Sequence, residues 1–325
     1  MAGLAPNVEQ AVRSSDARIV ITGASGWIGM ATLELLYVAL GPAFPARVHC
    51  FGSSRRVLHL IDGTTIEQRP LADVATFAPM PTIVLHLAFL TKDRAEAMDE
   101  APYRIANRAL DGIVLDALGS IGAESIFVAS SGAAKHADDP QTTPAMRLYG
   151  SLKREQEELF AAWAERERKG AVIARIFNIS GAHINKLHSY ALATFITDAL
   201  AGRSIVIRSA HKVVRSYVAV RELMSLVFAL LLDGERRVIR FDSGGEPMEM
   251  QDIAGAVAER FGRVSIIRPP LDRTIVDHYA GDGRTYHSLL AEHHIESVPF
   301  ARQVIETIDF LALFQAHLAG GRVAI

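Results

Sequence analysis

The chain reads Thr22-Gly23-Ala24-Ser25-Gly26-Trp27-Ile28-Gly29 directly after an apolar run at residues 18–22, and a helical pattern begins at once. Glycines at this spacing permit a tight turn, close approach of the backbone to a pyrophosphate, and packing of the helix onto the strand. The first helical turn then offers free N–H groups and positive dipole to phosphate oxygens. An ordinary turn is the alternative. The position after the first strand favours a dinucleotide site at Gly23, Gly26 and Gly29, with Ser25, Trp27 and Ile28 beside it.

Strand-like and helical stretches alternate along the first half of the chain. Each candidate strand is a short apolar run bounded by turn residues or charge, which suits a strand buried on both faces. Alternation of this kind indicates a parallel sheet. We therefore predict an α/β fold with a Rossmann-like, doubly wound parallel sheet. The candidate strands are residues 18–22, 47–51, 82–87, 125–130 and 171–177, and the candidate helices are residues 28–38, 103–118 and 149–169.

The pattern changes after Gly181. Helical patterns at 190–201 and 221–232 enclose a short apolar run, and a strand-like run follows at 238–241. No linker marks a clean boundary. We predict a nucleotide-binding Rossmann domain over residues 1–180 and a smaller, mainly substrate-binding region over residues 181–325. We expect that region to be interleaved with the sheet, with some of its strands and helices returning to it.

The composition excludes several classes of protein. Half of the residues are hydrophobic and 22% are charged, which excludes disorder. A net charge of −2 gives no basic field for nucleic acid or an anionic membrane. The single Cys50 and the adjacent His293 and His294 supply no metal site and no disulfide framework. The first 18 residues lack an apolar signal core, and the longest apolar run, at 223–232, is about half a membrane span. We expect a soluble cytoplasmic protein without a metal.

The end of the second strand bears on the choice of cofactor, because an acid there binds the ribose 2′-OH of NAD whereas a nearby Arg binds the 2′-phosphate of NADP. The sequence here is Gly52-Ser53-Ser54-Arg55-Arg56, and the first carboxylate after it is Asp62. Two hydroxyls and two guanidiniums suit a phosphate dianion. The sequence therefore favours NADP(H), with Arg55 the stronger candidate and NAD(H) the alternative. Two arginines on a surface loop would also explain the pattern.

A hydroxyl, a phenol and an amine follow the strand at residues 125–130. Ser130 and Ser131 come at its end, and Tyr149 and Lys153 lie four residues apart on a predicted helix, which places them on one face. A phenol with a pKa of about 10 is a poor base unless a close ammonium stabilises the phenolate. Ser131 could hold a substrate oxygen while Tyr149 moves a proton and a nicotinamide moves a hydride. An ordinary helix pair is the alternative.

Seven short motifs share one order with a known family. The chain resembles the extended short-chain dehydrogenase/reductase family, the NAD(P)-dependent nucleotide-sugar epimerases, dehydratases and ketoreductases. The resemblance covers about residues 17–310. The matching motifs are the glycine turn, His86-Leu87-Ala88, Asn107, Ser130-Ser131, Tyr149 with Lys153, Arg175-Ile176-Phe177-Asn178-Ile179-Ser180-Gly181, and Arg215-Ser216-Tyr217-Val218-Ala219-Val220.

The resemblance implies a role for each matching residue. Ser131 would position the substrate carbonyl, with Ser130 as the second choice, Tyr149 would be the acid or base, and Lys153 would assist it and contact the ribose. The same resemblance implies a homodimer packed through the helices at 103–118 and 149–169. Leu87, Ala88 and Asn107 would join the cofactor site, and Asn178, Arg215 and the weaker candidate Arg268 would meet a nucleotide diphosphate, unless these arginines form surface ion pairs.

The segment after the serines departs from the family pattern. It reads Gly132-Ala133-Ala134-Lys135-His136, without the Asp-Glu pair of sugar 4,6-dehydratases. This absence disfavours a dehydratase, and Arg55 with Arg56 favours a reductase with exchangeable NADPH. We therefore expect a 4-keto reductase acting on a nucleotide sugar or another small carbonyl or hydroxyl compound. A nucleotide-sugar 4-epimerase that keeps NAD tightly bound is the first alternative. A non-catalytic NADP-binding regulatory or scaffold protein is the second.

Overall fold

A computed structural model describes residues 3–262 and 264–319 of the chain; residues 1–2, 263 and 320–325, which the predicted domain ranges include, lie outside the described part. The strands are, in chain order, β1 (Arg18–Thr22), β2 (Val48–Gly52), β3 (Arg56–His59), β4 (Thr65–Pro70), β5 (Thr82–His86), β6 (Ala123–Ser131), β7 (Gly170–Ile176), β8 (Asn178–Ser180), β9 (Ile205–Val206), β10 (His211–Ala219), β11 (Val238–Asp242), β12 (Pro247–Glu249), β13 (Ile266–Ile267) and β14 (Asp272–Tyr279). The helices are α1 (Pro6–Ser14), α2 (Trp27–Leu40), α3 (Phe44–Arg47), α4 (Lys92–Ala97), α5 (Glu100–Ser120), α6 (Pro144–Glu167), α7 (Ala191–Leu200), α8 (Val220–Leu232), α9 (Met250–Phe261), α10 (Gly283–Glu292) and α11 (Phe300–Ala319).

The central sheet has eight strands in the order β11-β7-β6-β5-β1-β2-β4-β3. All neighbours run parallel except β3, which pairs antiparallel with β4. The Rossmann-like, doubly wound parallel sheet predicted from the sequence is confirmed, and the five predicted strands are β1, β2, β5, β6 and β7. The β3–β4 hairpin was not predicted. Strand β3 is short and mostly exposed, with one buried residue, so its sequence lacks the apolar run that marks a buried strand.

The core lies in two layers, one on each face of this sheet. Ile19 and Ile21 of β1 pack in the cluster that contains α2 and α8, whereas Val20 packs in the cluster that contains α5 and α6. Among the described residues, one segment, Trp27–Arg47, is long and apolar enough to cross a membrane by length and composition. Most of its apolar window, 61%, is buried, as in a core helix. The apolar run at 223–232 noted in the sequence lies in α8, which is a shorter helix of 13 residues.

The second half of the chain adds a small sheet at the carboxyl ends of the parallel strands. Strand β10 pairs with β8, β12 and β14, and β11 returns to the central sheet beside β7. The register of β10 and β14 places Arg215 opposite Tyr279. This small sheet therefore brings side chains from residues 211–279 towards the end of β6.

Candidate active site

The glycine turn forms a tight cradle between β1 and α2. Gly23 has φ +67°, and a Cβ added there would lie 2.7 Å from the Ala88 amide nitrogen. A Cβ on Gly29 would lie 2.4 Å from the carbonyl oxygen of Ala24, so the helix packs directly on the turn. Gly26 precedes α2, whose first turn has no side-chain cap. These features fit a dinucleotide pyrophosphate, because backbone N–H groups can approach it without obstruction by side chains.

The loop after β5 forms the opposite wall of this cradle and is fixed from behind. The Leu90 amide donates to Asn107 Oδ1 at 2.7 Å, and the Tyr103 hydroxyl donates to the Leu90 carbonyl at 2.5 Å. The Ala88 amide donates to Thr22 Oγ1 at 3.3 Å. The buried Asn107 carboxamide therefore fixes the loop that carries Leu87 and Ala88.

The segment after β2 carries the exposed hydroxyls and arginines expected from the sequence, together with an ion pair that the sequence does not reveal. Residues 53–56 are exposed and contain no carboxylate. Arg55, however, forms an ion pair with Glu67 on β4. Arg56 is exposed and, within the described residues, has no ion-pair partner. The predicted NADP preference therefore stays a prediction, with one of its two arginines already neutralised.

Ser131 and Tyr149 meet at the end of β6. The Ser131 hydroxyl lies close enough to the phenol to act on its pKa, which it lowers. Ser131 Oγ also accepts from the Ala133 amide at 3.2 Å and lies 3.4 Å from the Tyr279 hydroxyl. Ser130 instead donates to Glu157, which is held by Arg175. The first-choice serine is thus the one beside the phenol.

Lys153 lies one helical turn from Tyr149 and is 4% exposed. Its Nζ donates to the Ala129 carbonyl at 2.7 Å and to Gln156 Oε1 at 3.0 Å. The face of the Phe89 ring lies 3.7 Å from the same nitrogen. Burial lowers the pKa of the Lys153 amine to about 7, although nearby carboxylates oppose this.

Burial also determines the charge of the phenol. It raises the pKa of Tyr149 above the ordinary value for a tyrosine, and the nearby Ser131 hydroxyl offsets only part of this effect. The sequence predicts that the Lys153 ammonium stabilises a phenolate; in the structure this group is bound by the Ala129 carbonyl and by Gln156. Tyr149 is therefore protonated at neutral pH and can donate a proton.

The three predicted substrate residues all bind other protein groups. Asn178 donates to the Ser216 carbonyl at 3.0 Å. Arg215 donates two hydrogen bonds to the Asp277 carboxylate, at 2.7 and 3.1 Å. Arg268 donates to both oxygens of Glu249 and to two backbone carbonyls. Both arginines thus form carboxylate pairs, and the Arg268–Glu249 pair is mostly buried rather than at the surface.

Tyr279 is the main residue at the site that the sequence analysis missed. Its ring packs against Phe177, with centroids 4.8 Å apart, and lies 5.9 Å from the Arg215 guanidinium. It is 148 positions from Ser131, and its strand is largely exposed, so no local pattern marks it. A metal site is not indicated, since the described residues contain no group of three or more His, Cys, Asp or Glu suited to one.

The sequence model of the NAD dependent epimerase/dehydratase family matches residues 19–239, more than half of the chain. The chain belongs to this family. It is an enzyme of the extended short-chain dehydrogenase/reductase type, as its motifs predicted. A search of curated proteins finds no significant match.

Several solved structures share the family fold. A UDP-N-acetylglucosamine 4-epimerase from Methanobrevibacter ruminantium M1, in complex with UDP-N-acetylmuramic acid, is 18% identical with a TM-score of 0.71, over 92% of this chain and 99% of that one. DesIV from Streptomyces venezuelae, a dTDP-glucose 4,6-dehydratase with NAD bound, is 17% identical with a TM-score of 0.67, over 92% and 98%. MoeE5 in complex with UDP-glucose and NAD is 18% identical with a TM-score of 0.67, over 92% and 100%.

Proposed function

We propose that the protein transfers a hydride between a nicotinamide cofactor and a keto or hydroxyl carbon of a nucleotide sugar, as a 4-keto reductase. The observation that carries this proposal is the placement of the Ser131 hydroxyl near the Tyr149 phenol, with Lys153 one helical turn away and the glycine turn two strands along the same sheet. The nucleotide-sugar substrate is supported by the solved structures of the family, which hold UDP-glucose and UDP-N-acetylmuramic acid.

Each group of the site has a defined task in reduction. The bound cofactor would supply a hydride to the substrate carbon, and the Tyr149 phenol would give its proton to the carbonyl oxygen. Ser131 would hold that oxygen by a hydrogen bond. The resulting phenolate would be stabilised by the Lys153 ammonium, which would also contact the ribose. Gly23, the start of α2 and the loop at Leu87 would bind the pyrophosphate.

The protonation of Tyr149 favours reduction over the alternatives. A half-buried phenol with a raised pKa is ready to donate a proton, which is what carbonyl reduction needs first. Dehydration would need an acid and a base, and the Gly132–His136 segment contains neither Asp nor Glu. A 4-epimerase is the second candidate, because two of the solved relatives are described as UDP-N-acetylglucosamine 4-epimerases.

Cofactor content tests this choice. Nucleotide released from the purified protein would be identified, and NADPH and NADH would then be titrated by fluorescence. We expect an empty site that binds NADPH about tenfold more tightly than NADH, since a phosphate can gain charge-assisted hydrogen bonds from Arg55 and Arg56. Glu67→Gln should strengthen NADPH binding by freeing Arg55, and should leave NADH binding unchanged. Tightly retained NAD would contradict the reductase proposal and favour the epimerase.

The proposed homodimer is tested by one surface substitution. Ile105, Ala109 and Ile113 share one face of α5, and the two isoleucines are 68% and 38% exposed; Leu159 of α6 is also exposed. An apolar stripe of this kind suits a helical interface between two copies. We expect a dimer by light scattering, and a monomer for Ile105→Glu with an unchanged circular dichroism spectrum. The exposed-site control Val57→Glu should stay dimeric, and a monomeric wild type would contradict the proposal.

A further inference from the structure

A buried chain of polar side chains runs from Lys153 to the glycine turn. Lys153 Nζ donates to Gln156 Oε1 at 3.0 Å, and Gln156 Nε2 donates to Asp111 Oδ1 at 2.5 Å. The same Asp111 oxygen lies 2.9 Å from His86 Nε2, and His86 Nδ1 lies 2.9 Å from Thr22 Oγ1. All five side chains are buried. This row of hydrogen-bonded side chains therefore links α6, α5, β5 and β1 behind the site.

Donor and acceptor accounting assigns the protons in this chain. His86 Nε2 faces an oxygen of the Asp111 carboxylate, which only accepts, so Nε2 carries a proton. In the neutral ring Nδ1 then accepts from the Thr22 hydroxyl, whose oxygen also accepts from the Ala88 amide. Burial lowers the pKa of His86, and the neutral ring then carries its proton on Nε2 and donates to Asp111. Two N–H groups converge on one oxygen of Asp111. That arrangement suits an ionised carboxylate, which only accepts.

Two carboxylates lie near Lys153, and Asp111 is the one that is not paired with an arginine. Glu157, on the same helix as Lys153, is bound by the Arg175 guanidinium and by Ser130. Within the described residues, Asp111 has no Lys or Arg at ion-pair distance. The ring of His86 lies against its carboxylate, but that ring is neutral. The remaining groups that face Lys153 are uncharged: the Tyr149 phenol, the Phe89 ring and the Ala129 carbonyl.

We propose that Asp111 is a positioning residue that acts through the Gln156 carboxamide to keep Lys153 charged and correctly oriented for proton transfer at Tyr149. The inference rests on the proposed function. Gln156 Oε1 and the Ala129 carbonyl take two N–H groups of Lys153 and leave the third for the phenol or a cofactor ribose. A direct Asp111–Lys153 ion pair would compete for that third N–H group. The interposed amide transmits the attraction and leaves the N–H group free.

The consequence is a measurable change in the titration of Lys153. Burial alone would favour the neutral amine, and Asp111 opposes it. Asp111→Asn keeps the shape and the acceptor oxygen of the side chain but removes the charge. We therefore expect the Lys153 titration midpoint to fall by about one pH unit or more, the usual effect of losing one nearby opposite charge.

The chain has six lysines, which makes direct NMR titration practical. The unliganded full-length protein would be labelled with lysine carrying ¹³C at Cε, and the Lys153 signal would be assigned by its absence in Lys153→Met. Asp116→Asn is the matched control, since Asp116 is exposed on the same helix and should not change the midpoint. Gln156→Met removes the relay, including its hydrogen bond to Asp111, but keeps the Asp111 charge, and should also lower the midpoint.

The alkaline limb of the kcat profile gives a second measure. If turnover needs charged Lys153, this limb should move to lower pH in Asp111→Asn by the same amount as the NMR midpoint. An unchanged midpoint in folded Asp111→Asn overturns the proposal, and so does an unchanged midpoint in Gln156→Met if the first variant does not fold. A lowered midpoint without turnover on any carbonyl substrate would support the role of Asp111 while contradicting the proposed function.

Discussion

Replacing Tyr149 by Phe is expected to lower kcat for carbonyl reduction by about 10²- to 10⁴-fold, the usual contribution of a positioned general acid. The phenol lies near the Ser131 hydroxyl and is protonated at neutral pH because desolvation raises its pKa. Phe removes the proton donor but keeps the ring, which packs edge-on against Phe89 with centroids 5.8 Å apart. Cofactor affinity should therefore stay within about twofold of wild type, well under 1 kcal/mol.

The measurement combines steady-state kinetics with a fluorescence titration of the cofactor. NADPH oxidation would be followed with 4-keto nucleotide sugars and a panel of other carbonyl compounds, and kcat would be compared between wild type and variant. Tyr37→Phe is the matched control, because Tyr37 lies on α2 and its hydroxyl accepts from Thr64 rather than from a site residue. Wild-type kcat in Tyr149→Phe would show that another group supplies the proton.

The sequence predicted those parts of the site that local spacing determines. Gly23, Gly26 and Gly29 lie within seven residues, and their turn follows from the steric needs of one strand-to-helix connection. Tyr149 and Lys153 share a helical face because they are four residues apart. Ser131 could be placed beside them because parallel strands end at one edge of the sheet and the helix after β6 returns across it.

The parts that the sequence does not reveal depend on contacts between distant segments. Tyr279 reaches Ser131 only because β14 pairs with β10, a pairing set by the small sheet. The ion pair of Arg55 with Glu67 depends on a hairpin whose exposed strand has no apolar pattern. An arginine in a sequence gives its charge but not its partner, so the pairing of Arg215 with Asp277 was equally out of reach.

His86 shows an intermediate case. A lone histidine at the end of a buried strand is usually structural, and the contacts of His86 with Thr22 and Asp111 agree with such a role. What the sequence could not show is that Gln156 connects this pair to Lys153. Residues 86, 111 and 156 have no motif spacing in common, because they converge from three different elements.

Substitution of Gly23 by Ala is expected to weaken cofactor binding by about 10- to 100-fold, which corresponds to losing one charge-assisted hydrogen bond of about 1.5–3 kcal/mol. The added Cβ would lie 2.7 Å from the Ala88 amide nitrogen and 2.8 Å from the Leu87 carbonyl carbon, both backbone atoms. The loop after β5 must then move away from the turn. Backbone N–H groups that are arranged for a pyrophosphate would separate, and no side chain could restore them.

The same substitution should also lower the stability of the protein, since Ala in the left-handed region costs about 1–2 kcal/mol and Gly23 has φ +67°. Affinity and thermal unfolding must therefore be measured together, at a temperature where the variant is folded by circular dichroism.

Gly255→Ala is the matched control: Gly255 lies inside α9, an added Cβ meets nothing within 4 Å, and helix propensity favours Ala. That variant should bind cofactor normally and unfold at the same or a higher temperature. If folded Gly23→Ala binds as tightly as wild type, the pyrophosphate does not lie at this turn, because a group bound there would feel the displacement of both walls.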